Sequence, residues 1–240
     1  MRLSPQTLNV CGGDATISGM ARNIQFADGE YYHVYDRGVD KRLIYLNDID
    51  KKRFQKILYL CNGTRPFVVR DIALDNLLHI DRGHQLVSIG AYGLMDNHFH
   101  ILIKQVVENG VTEFMRKLKT AYTKYFNEKY DRTGSLFGGR FKAKHVDSDG
   151  YLRHIFAYIH LNPLELKYPG WEEGFVAPTV LEYYLKRYYF SSYVDHLGLV
   201  REENSILNIE QFPHYFNKGF TVKDQLHDYF SFTPDVERLW

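Results

Sequence analysis

Residues Leu86–Lys104 read LVSIGAYGLMDNHFHILIK, and this stretch decides the fold. Leu86 to Leu94 is a short, mostly apolar run of strand length, and it reads as a buried strand. Asp96-Asn97 is a turn signal, and His98 to Lys104 is a second strand, so the two runs form a hairpin. Side chains on a strand alternate between faces. Phe99, Ile101 and Ile103 therefore point into a core, while His98 and His100 share the opposite face.

Working outward, the β-prone run from Tyr31 to Tyr35 ends at the Arg37-Gly38 turn signal. Asn47 or Asp48 can cap a helix through about Cys61, with Phe54, Ile57, Leu58 and Leu60 as its apolar positions. After the hairpin, a helix from about Thr112 to Tyr130 carries Phe114, Leu118, Ala121, Tyr122 and Tyr125 on one stripe. Gly134, Gly138 and Gly139 mark a loop, Phe141 to Val146 a strand, and Ser148 or Asp149 caps another helix. That helix ends by Asn162, because Pro163 disfavours the helical conformation of its predecessor. The order β-α-β-β-α-β-α predicts an α+β fold: a ferredoxin-like antiparallel sheet flanked by helices, with a C-terminal extension. Residues 1–23 read as a loose leader, 24–199 as the main domain, and 200–240 as a polar, irregular tail or appendage.

Composition narrows the classes. With 45% hydrophobic and 25% charged residues, the chain has the make-up of a globular protein. A net charge of +1 makes no whole-chain case for nucleic acid, so any such case must come from local clustering. There is one such cluster. From Arg116 to His145, nine basic residues (among them Lys119, Arg140, Lys142 and Lys144) meet only two acids, Glu128 and Asp131. The run fits a polyanion site or a solvated face. Two cysteines without metal-ligand spacing fit a reducing compartment, and no apolar run is long enough to span a membrane; the expectation is a cytoplasmic protein.

Two constellations could carry chemistry. His98 and His100, on one strand face, can share a metal ion or be ordinary exposed or packed histidines. On the helix from Tyr151, the residues Tyr151, His154, Tyr158 and Asn162 fall on one face, beside the apolar stripe of Leu152, Ile155, Phe156 and Ile159. Tyr158 and Asn162 stand one turn apart. Such a pair suits a nucleophile next to a metal ligand, but equally a half-buried tyrosine and a helix terminator.

Taken together, YHVYDRGVDKRLIYLNDID (32–50), AYGLMDNHFHILI (91–103), GSLFGGRFKAKHVDSDGYLRHIFAYIHLNP (134–163) and FSSYVDHLG (190–198) resemble the insertion-sequence-200-like transposases. The likeness is greatest to the branch known as REP-associated tyrosine transposases. The resemblance implies cleavage and rejoining of single-stranded DNA at hairpin-bearing ends through a 5′-phosphotyrosine. It assigns Tyr158 as nucleophile and His98, His100 and Asn162 as ligands of a divalent metal, Mg²⁺ or Mn²⁺. Arg37, Arg140, Lys142, Lys144 and Lys119 would contact DNA. The family includes homodimers and monomers, and domesticated hairpin-binding proteins form an alternative reading. Asp96 departs from the family pattern, which has proline there. Tyr122 is a rival nucleophile, but its place on an apolar stripe favours packing.

Overall fold

The computed structural model describes residues 24–67, 78, 80–214 and 221–232. The expected leader, residues 1–23, lies outside them. Four strands, β1 (Tyr31–Arg37), β2 (Val87–Met95), β3 (His98–Gln105) and β4 (Lys142–Val146), form one sheet in the order β2-β3-β1-β4. Every neighbouring pair is antiparallel. This is the ferredoxin-like arrangement that the element order predicts.

The hairpin closes at Asp96-Asn97, where the sequence places it. Its turn is held from outside: Gly38 N donates to Asn97 O, and Ile44 N donates to Asp96 O. Lys51 Nζ lies 2.9 Å from Asp96 Oδ1, so the carboxylate at this position is paired.

Helices α1 (Asp48–Cys61) and α2 (Gly110–Lys129) cover one face of the sheet. Asn47 caps α1 by accepting from Asp50 N, which satisfies a donor the helix itself cannot. Phe54, Ile57 and Leu58 of α1 and Phe114, Leu118 and Tyr122 of α2 pack on Phe99, Ile101 and Ile103. The alternation in β3 thus sends its apolar residues to this side.

Helix α3 (Asp149–Leu161) lies on the other face, with Ser148 capping it through Tyr151 N. Leu152, Ile155, Phe156 and Ile159 meet Ala91 and Leu102 there, as the helical stripe requires. A close approach is needed, and Gly93 permits it. A Cβ at Gly93 would stand 2.7 Å from Ile159 O, so only a residue without one lets α3 settle against β2.

The segment Phe190–Gly198, including α5 (Tyr193–His196), ties the edge of β2 to α3. Leu94 N donates to Phe190 O, and Ser192 N donates to Tyr92 O. The buried Ser192 hydroxyl also meets His160 Nε2 at 2.8 Å. Beyond Gly198 the described residues hold more regular structure than the polar composition implies. Ile206 and Phe212 are buried on opposite sides of the sheet, and helix α6 (Val222–Ser231) starts at a capping box between Thr221 and Asp224. Helix α4 (Pro178–Leu185) completes a third apolar cluster with Trp171 and Val222. Among the described residues no helix is long and apolar enough to cross a membrane.

Candidate functional site

The sheet face under α3 carries the site. On β3, His98 and His100 project toward α3 with ring centroids 5.1 Å apart, nearly perpendicular. On β1, antiparallel pairing sets Arg37 opposite His98 and Tyr35 opposite His100. The same alternation brings His33 onto this face, where it lies diagonally across from His100.

Each histidine of the pair is held through Nδ1. His98 Nδ1 lies 2.6 Å from Asn97 Oδ1, and His100 Nδ1 lies 2.8 Å from His33 Nε2. Asn97 Oδ1 can only accept, so His98 carries its proton on Nδ1. On both rings the other nitrogen is Nε2, and both Nε2 atoms are buried. Burial lowers the pKa of His98 to about 4, with the Arg37 charge adding to the effect and the Asn162 side chain and Asp96 opposing it. His100 is driven well below the usual histidine range by burial, then by His33 and His98. His33 is lowered to about 3 by burial and by the Lys144 and His154 charges. The three rings are therefore neutral at neutral pH, the state in which imidazole binds metal.

Helix α3 delivers the other two groups. The ring of Tyr158 meets that of His100 edge to face at 5.1 Å, and that of His33 at 5.9 Å. Asn162 follows where α3 gives way to a 3-10 turn (Asn162–Leu166) ahead of Pro163. Its Oδ1 is buried and forms no hydrogen bond of ordinary geometry among the described residues. A buried carboxamide oxygen in that condition, beside the neutral imidazole of His98, suits the donor set of a small divalent cation. The residues present fit such an ion. Among the described residues no group of three or more His, Cys, Asp or Glu side chains gathers to hold a metal, here or elsewhere, so an ion at this site would need the Asn162 amide.

The tyrosine face is roofed by α6. Tyr229 O lies 3.0 Å from His154 Nδ1, and the Tyr229 ring stacks at 6.4 Å on Tyr158. Tyr122 sits elsewhere, fully buried between α2 and the sheet, with its hydroxyl donating to Ile44 O at 2.6 Å. Burial raises its pKa far above that of a free phenol, so it is a packing residue.

The five basic candidates divide. Lys142 and Lys144 lie on β4, paired with Tyr35 and His33, and so face the α3 side. Arg37 ends β1 next to His98, and Arg140 is exposed in the loop before β4. Lys119 is apart from them: it pairs with the buried Asp36 on the α2 side of the sheet, with its own side chain 17% exposed. Sequence reasoning passed over His33 and Tyr229. For His33 a signal existed, since a strand alternation running His33, Tyr35, Arg37 sets a third histidine on one face.

These features define an α+β protein in which a histidine-bearing sheet meets a tyrosine-bearing helix. Residues 71–162 match the family model described as Transposase IS200 like. The matched span holds His98, His100, Tyr158 and Asn162. No curated protein matches the chain. A solved structure titled "Structure of the REP associates tyrosine transposase bound to a REP hairpin" aligns over 75% of this chain and 87% of that one, at 16% identity and a TM-score of 0.48.

Proposed function

We propose that this protein cleaves and rejoins single-stranded DNA at hairpin-bearing ends, with Tyr158 as nucleophile. The observation that carries the reading is the contact of the Tyr158 ring with His100 inside a single chain. His98, His100 and Asn162 would hold Mg²⁺ or Mn²⁺. Such an ion supplies Lewis-acid polarisation of the scissile phosphate.

The remaining chemistry falls to side chains. A tyrosine phenol ionises near pH ~10 and needs help to attack at neutral pH. Arg37 near His98 and Lys144 opposite His33 add positive charge to this face, which favours the phenolate. Tyr158 gives up its proton and its Oη bonds to phosphorus. The P–O3′ bond breaks, and the departing 3′ oxygen takes up a proton. One phosphodiester replaces another, so the 3′-hydroxyl of a second strand can reverse the step without ATP. Arg140, Lys142 and Lys144 would track the DNA backbone, which makes binding fall with salt. Lys119, closed into its pair with Asp36, has a structural role in this reading.

Tyr158→Phe tests the assignment. The purified variant should bind a hairpin oligonucleotide and form no covalent adduct. An undiminished adduct in this variant would overturn the nucleophile assignment. Hairpin binding by the unaltered protein with no adduct in Mn²⁺ would mark it instead as a hairpin-binding protein without strand transfer.

A further inference from the structure

The imidazole of His33 has no part in the reaction just described, yet it is fully buried at the centre of β1. Its Nε2 stands 2.8 Å from His100 Nδ1. A neutral imidazole carries one N–H, so in this contact one nitrogen donates and the other accepts. If His100 is to offer the lone pair of Nε2, its proton must sit on Nδ1. His33 must then accept at Nε2 and keep its own proton on Nδ1. The direction of this one hydrogen bond therefore settles the tautomer of both rings.

We propose that His33 is a positioning residue: its Nε2 accepts the Nδ1 proton of His100 and thereby fixes the His100 ring, which meets Tyr158, with Nε2 turned away from His33. The direction of the bond rests on the function proposed above, which needs the Nε2 lone pair of His100; the contact between the two rings does not. The two imidazoles of the pair are then oriented alike, His98 through Asn97 and His100 through His33. A group that orients a ligand in this way raises its basicity and removes the entropy of choosing a tautomer. With an imidazole in place of the more usual carboxylate partner, the site gains no negative charge. The cation would keep its full pull on a phosphate.

The direct test is ¹⁵N NMR of the imidazoles in the metal-free protein, where ring nitrogens with and without a proton differ widely in shift. His100 is expected as the Nδ1–H tautomer, coupled through the hydrogen bond to His33. Finding His100 with its proton on Nε2 would overturn the proposal whatever the protein's activity. A second measurement follows Mn²⁺ binding by electron paramagnetic resonance in folded His33→Leu and His33→Gln variants. Leucine offers no acceptor, and affinity should fall on the order of ten- to a hundred-fold. Glutamine, whose amide oxygen can accept, should recover part of that loss. Equal affinity in His33→Leu and the unaltered protein would contradict a positioning role. Failure of the unaltered protein to bind Mn²⁺ would count against the proposed function and leave the tautomer result to decide this inference.

Discussion

The rings of His100 and Tyr158 meet edge to face with centroids 5.1 Å apart, one on strand β3 and the other on helix α3. Nothing local in the chain makes them neighbours. The sheet exposes His100 on the α3 side by alternation, and the apolar stripe of α3 fixes the rotation that turns Tyr158 toward it.

Removal of both imidazoles should end the chemistry while sparing the scaffold. In His98→Ala with His100→Ala, cleavage of a hairpin oligonucleotide should vanish at every Mn²⁺ concentration, with hairpin binding retained in a gel shift. Undiminished cutting by the double variant would remove the metal from the account.

Gly93 governs how closely α3 can approach. A methyl group there would meet Ile159 O, a backbone atom that cannot move without the helix. Gly93→Ala should cost about 1–3 kcal/mol in urea denaturation, the range for overpacking. It should also slow adduct formation more than it weakens hairpin binding. An adduct rate equal to that of the unaltered protein would show that the position of Tyr158 tolerates a displaced α3.

Because Tyr158 and His100 meet within one chain, the tyrosine should act in cis. A mixture of Tyr158→Phe with the His98→Ala/His100→Ala variant should remain inactive. Recovery of adduct in the mixture would indicate that the tyrosine serves the histidines of a second copy.

Asp50 supports α1 from the inside. Its buried carboxylate accepts from Lys129 at 2.6 Å, Tyr130 at 2.7 Å, Leu46 N at 2.8 Å and Tyr125 at 2.9 Å. Burial alone would raise its pKa, but these bonds outweigh it and the net shift is downward. A carboxylate whose pKa is lower folded than unfolded stabilises fully above its unfolded value, about 4, and loses that contribution as pH falls toward the folded value. Asp50→Ala should cost about 1–3 kcal/mol at neutral pH, because it leaves Leu46 N and the Tyr125 and Tyr130 hydroxyls without their acceptor. The gap between variant and parent should narrow in acid denaturation below pH ~4. A gap that is constant with pH would mean that packing, not ionisation, carries the effect.

Much of the scaffold was legible because local signals agreed with one another. The hairpin showed in its turn residues and in the alternation of His98–Ile103, and α1, α2 and α3 showed in their caps and apolar stripes. Both constellations that now meet could be drawn from those periods. Their meeting could not, since spacing along one strand and one helix says nothing of which sheet face a helix covers. His33 was hidden for the same reason: its partner is set by the β1–β3 register, which pairs segments far apart in sequence. Sequence gathers Lys119 with Lys142 and Lys144, but α2 and β4 send them to opposite sides of the sheet. The helix after Gly198 was masked by polar composition; the Thr221–Asp224 capping box was the signal that marked it.

The most direct measurement is to map the covalent bond itself. Incubation with a single-stranded hairpin oligonucleotide and Mn²⁺, followed by proteolysis and mass spectrometry, should find a nucleotide 5′-phosphate on the peptide containing Tyr158. A modification on Tyr122 or on any other residue would contradict the account.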